Sequence, residues 1–175
     1  MLSFAELMKR AFKTKELNLT EAGKKIPFQL LKKLNPFKNK STSSTIEDFK
    51  MLFLILSGHT GKLLGLQLAE EQEIVMDLAD ILSEIYIAES LYLRVEKLND
   101  KPSTDQKEIA VKKDILSLQI YLSANVVNEK ANNIIDSLAS SKNKWVLSFL
   151  IKKLTSKKAI NPTFTRRRIA KYFIE

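Results

Sequence analysis

The chain has 175 residues, 45% of them hydrophobic, enough to bury one core and short for two. Four glycines and four prolines are too few for the turns of a sandwich or barrel, and the lack of cysteine excludes a disulfide scaffold and a thiolate metal site. The net charge of +9 is divided unevenly: residues 1–40 carry ten basic against three acidic side chains, residues 71–100 two against eight, and residues 141–175 ten against one. Basic ends around an acidic centre point to anionic partners at the termini, membrane or nucleic acid, or to complementary faces within one larger assembly.

Taken in chain order, residues 1–40 read as a basic N-terminal helical segment and connector. A short amphipathic helix is expected over 2–13 and a weaker one near 26–34, opening with Pro27 and followed by the polar connector NPFKNKSTSS. The first residues lack the basic segment, long apolar stretch and small-residue cleavage site of a signal peptide, so none is expected. From 41 to 175 the pattern is that of a helical bundle. Ser44 with Glu47 offers a capping box, and Phe49, Leu52, Leu56, His59, Leu63 and Leu66 repeat at steps of three and four, which predicts a helix over about 45–68. Its apolar run MLFLIL is far short of the ~20 residues that cross a bilayer, so a soluble, cytoplasmic chain is expected.

The next segment, 71–98, carries one apolar stripe of Ile74, Leu78, Ile81, Ile85, Ala88, Tyr92 and Val95 and a second of Val75, Leu82, Tyr86 and Leu93, together a wide face to bury. Arg94 and Lys97 in its last turns suit the helix dipole. A third long helix, 105–139, capped by Thr104 or Asp105, has Ile120, Ala124, Val127, Ala131, Ile134 and Leu138 in register. SSKNK interrupts the pattern, WVLSFLIKKL makes a short helix, and NPTF leads into the terminal helix TRRRIAKYFI. The fold class is therefore all-α: an antiparallel bundle of three long helices with shorter helices at both ends.

Three stretches invite a chemical reading. Glu73, Asp77, Asp80 and Glu84 line one helical edge, but a di-metal carboxylate bundle also needs Glu-x-x-His pairs on facing helices, and the chain has one histidine. A solvated acidic edge, or one facing a basic partner surface, fits better. LSGHTGKLLG resembles a phosphate loop only in part, because Leu56 and Leu63 stand where glycine and a hydroxyl residue are required. Gly58, Gly61 and Gly65 share a helical side where another helix could approach, and His59 lies on the apolar stripe as a core histidine. No nucleophile, base and orienting acid can be assembled from the rest, so no catalytic, cofactor-binding or metal residue is assigned. The basic ends supply the candidate contact residues: Lys24, Lys25, Lys32 and Lys33 with Phe37, and Arg166, Arg167 and Arg168. They suit an anionic membrane surface or a protein partner. Nucleic acid is not expected, since there is no recognised fold for it and no aromatic stacking platform.

The stretch LAEEQEIVMDLADILSEIYIAESLYLRVEKL resembles the C-terminal helical extension of bacterial, very-long-chain-like acyl-CoA dehydrogenases. The residues that carry it are Glu71, Gln72, Glu73, Met76, Ala79, Asp80, Glu84, Ile85, Tyr86, Ala88, Glu89, Ser90, Arg94, Glu96 and Lys97. MLSFAELMKRAFKTKEL and RRRIAKYFIE extend it to both ends, while residues 100–160 match more loosely. The resemblance implies an accessory domain of an FAD-dependent enzyme of fatty-acid β-oxidation, whose flavin site and glutamate base belong to a catalytic core expected to precede Met1. It implies that the chain is inactive alone, with FAD in the parent enzyme, and that its partners are the catalytic core, in the same or a separate chain, a second copy in a homodimer, and a membrane touched peripherally. The competing expectation is a stand-alone helical module that binds a protein or a membrane surface.

Overall fold

A computed structural model describes residues 41–99, 105–138, 144–156 and 160–174. The expected helices at 2–13 and 26–34, and Lys24, Lys25, Lys32, Lys33 and Phe37, lie outside the described residues. Within them the chain forms α1 (Thr42–Leu64), a 3-10 turn (Gly65–Ala69), α2 (Gln72–Asn99), α3 (Gln106–Ser137), α4 (Lys144–Leu154) and α5 (Pro162–Ile174), with no strand among the described residues.

The helix ends follow local chemistry. α1 begins at Ser41, whose hydroxyl accepts from the Ser44 N–H at 3.1 Å; it starts three residues before the expected Ser44–Glu47 box, and Glu47 accepts instead from Lys50 at 3.2 Å. α1 stops at Gly65, which has φ 54° and ψ −122°, a conformation that side-chain-bearing residues resist. The expected single helix to residue 68 is thus a helix to Leu64 followed by a 3-10 turn. Gly65 has no atom within 4 Å of where a Cβ would sit, so it serves a change of direction and not a helix approach. Asp105 caps α3 by accepting from the Lys107 N–H at 3.0 Å, and Asn161 accepts from the Phe164 N–H at the start of α5, with Pro162 in the first turn where its missing donor costs nothing.

The pairings run antiparallel. Along α2, Asp77 and Asp80 meet Lys130, Glu84 meets Ser123, and Val95 clusters with Leu116 and Ile120 of α3, so rising numbers in α2 pair with falling numbers in α3. Likewise Ile46 of α1 clusters with Ala88 and Val95. The main core joins Phe49, Leu52 and Leu56 of α1 to Ile81 and Ile85 of α2, Val127, Ala131 and Ile134 of α3, and Leu150, Ile151 and Leu154 of α4. Burying side chains of this size contributes roughly 1.5–3 kcal/mol each. By length and composition the stretch Thr42–Ala69 could cross a membrane, which the six-residue run MLFLIL does not convey; Phe49, Leu52 and Leu56 in its middle are buried against the other helices.

α2 departs from expectation on one side. Ile74, Ile81, Ile85, Ala88 and Val95 are buried, as the first stripe predicts. The second stripe is not: Val75 is 43%, Tyr86 73% and Leu93 58% exposed, and only Leu82 packs partly against the core. α1 and α3 together cover one face of α2, and among the described residues no further helix reaches the other.

Candidate interaction surface

The acidic edge of α2 is an interhelical seam. Lys130 of α3 lies 2.9 Å from both Asp77 and Asp80, and these hydrogen bonds, Asp80's first, hold its ammonium well above the usual lysine value. Ser123, fully buried, donates to Glu84 at 2.6 Å and accepts from the Gln119 amide at 3.1 Å. On the other flank Glu89 accepts from Lys50 of α1 at 2.6 Å. Burial pulls the Lys50 ammonium down, and its bonds to Glu89 and Glu47 outweigh that and leave it raised. The expected solvated edge is corrected accordingly: Glu73 faces water, Asp80 is half exposed yet bonded to Lys130, and Asp77, Glu84 and Glu89 with it tie α2 to α3 and α1. Sequence periodicity placed the acids on a helix but could not find Lys130, Ser123 or Lys50, since nothing in α1 or α3 alone marks which polar residue meets α2.

Every buried side-chain nitrogen or oxygen among the described residues has a hydrogen-bond partner, and among them no three His, Asp or Glu residues converge as a metal site would require. His59 is half-buried on α1, and burial, helped by the Lys62 charge, lowers its pKa. One open groove of about 540 Å³ is lined by Glu73, Asp77, Asp136 and Lys130; a second, also about 540 Å³, runs along Leu82, Ser83, Tyr86, Ile87 and Glu89. Neither fits a flavin dinucleotide. A pyrophosphate needs cations or free N–H groups, and these grooves offer carboxylates, apolar side chains and one lysine already held by two aspartates.

What the surface does present is apolar and aromatic. Besides the α2 stripe, Trp145 and Phe149 of α4 and Phe164, Phe173 and Ile174 of α5 are exposed. Of the three predicted arginines, Arg168 is tied to the bundle at its surface: its guanidinium pairs with Asp114 of α3 through two hydrogen bonds and lies over the Phe164 ring, 5.6 Å from its centre. Arg166 and Arg167 remain exposed on α5.

The described residues thus form a helical bundle with a polar interhelical seam and exposed apolar side chains on α2, α4 and α5. The family model for the acyl-CoA dehydrogenase C-terminal domain matches residues 48–153, and the chain belongs to that family. Among solved structures it is similar to the crystal structure of an acyl-CoA dehydrogenase complexed with FAD from Bacillus anthracis, with a TM-score of 0.81 and 21% identity over 97% of this chain and 29% of that one. That likeness speaks for the fold, and the chain spans less than a third of that enzyme's length. A comparison with curated proteins found no match.

Proposed function

We propose that this chain acts as the accessory C-terminal domain of an FAD-dependent acyl-CoA dehydrogenase of fatty-acid β-oxidation, packing on the enzyme's catalytic core and contributing to its self-association. The observation that carries this reading is the exposed apolar surface: among the described residues Tyr86, Leu93, Trp145 and Phe149 are exposed on a family domain whose core is built from other side chains. Large exposed apolar faces of that kind mark surfaces that another body covers. Catalysis is assigned to the core and not to this chain, because no described residue set can hold a flavin or act as a base on an acyl thioester. The purified chain is expected to show no flavin absorbance and no acyl-CoA oxidation, and to form a stoichiometric complex with a separately produced acyl-CoA dehydrogenase core. Bound FAD overturns the first expectation, and absence of a complex at micromolar concentration overturns the second.

A second reading, contact with an anionic membrane, draws on α5. Arg166, Arg167 and Lys171 share this short helix with the exposed Phe164, Phe173 and Ile174, a basic and aromatic combination that suits headgroups and the upper acyl region. Lys24, Lys25, Lys32, Lys33 and Phe37 supply the same chemistry at the other end of the sequence. Sedimentation with vesicles should then depend on anionic lipid; equal and negligible binding to neutral and anionic vesicles removes the idea. The reading places the protein in the cytoplasm, with peripheral attachment.

A further inference from the structure

We draw no further inference here: the strongest candidate, the acidic end of the bundle where α1 turns into α2 and the exposed Leu66, Met76 and Trp145 accompany Glu70, Glu71 and Glu73, is a surface apolar patch, and nothing in the structure shows what covers it.

Discussion

α5 is held to the bundle by so little that one carboxylate should control it. The helix has 13 residues, near the length at which an isolated helix is marginal in water, so undocking and melting are one event. Among the described residues it touches only α3, and Thr165 is its single buried residue. Asp114→Asn keeps the shape of the α3 side chain and removes the charge that holds Arg168. A charge-assisted pair contributes about 1.5–3 kcal/mol when shielded and about 0–1 kcal/mol when exposed. Asp114 is 18% and Arg168 53% exposed, which places the loss between these limits, at about 1–2 kcal/mol. That corresponds to α5 opening roughly 5–30 times more often. Hydrogen exchange in Pro162–Ile174 should accelerate by that factor, and trypsin should cleave faster after Arg166 and Arg167, sites the substitution leaves intact. Amides of Phe49 to Leu56 in the core should change less. Unchanged exchange in α5 would show the ion pair idle; an equal loss of protection in α1 would show that α5 and the bundle unfold as one unit.

Ser123→Ala removes the buried donor to Glu84 and should cost about 1–3 kcal/mol in urea unfolding; a loss below about 0.5 kcal/mol, the range of ordinary surface changes, would mean water replaces the hydroxyl without penalty. Gly65→Ala should cost about 1–3 kcal/mol from backbone strain alone, because nothing lies within 4 Å of the added methyl; an unchanged melting midpoint contradicts the assignment of this turn to glycine's conformational freedom. For His59 the folded pKa is lowered by burial and by Lys62. The neutral form is therefore preferred in the fold: its stabilising contribution is complete above the unfolded value of about 6.5 and is lost as pH falls through the lowered value. Between about pH 7.5 and 5.5 the wild type should lose more stability than His59→Gln, measured by denaturant midpoint; parallel losses would dismiss the histidine as the source.

The helices were legible because helix formation leaves a periodic record. Ile74, Ile81, Ile85, Ala88 and Val95 recur at a helical period whatever they pack against, and these side chains are buried. Boundaries were less legible where two local solutions compete. Ser41 and Ser44 are both sound caps, and the choice of Ser41 depends on the whole first turn, in which Thr45 becomes buried. At Gly65 the sequence suggests a close approach, because it shows a missing side chain but not the positive φ of 54°.

For the surface the limit is different in kind. Val75, Tyr86 and Leu93 carry the same hydrophobic signal as the buried stripe beside them, and only the packing of α1 and α3 on one side of α2 decides that they remain exposed. Asp77 and Glu84 gave no sign of whether they faced water or a partner until α3 supplied Lys130 and Ser123. By itself the amino-acid sequence determined the all-α class, the order of the long helices and the kinship of the 71–98 segment, because these rest on short-range periodicity and residue identity. The tertiary structure decided which acids are bound, which arginine is paired and which apolar face is left over, because each depends on residues far apart in sequence, 39 to 54 positions for the polar pairs, meeting across helices.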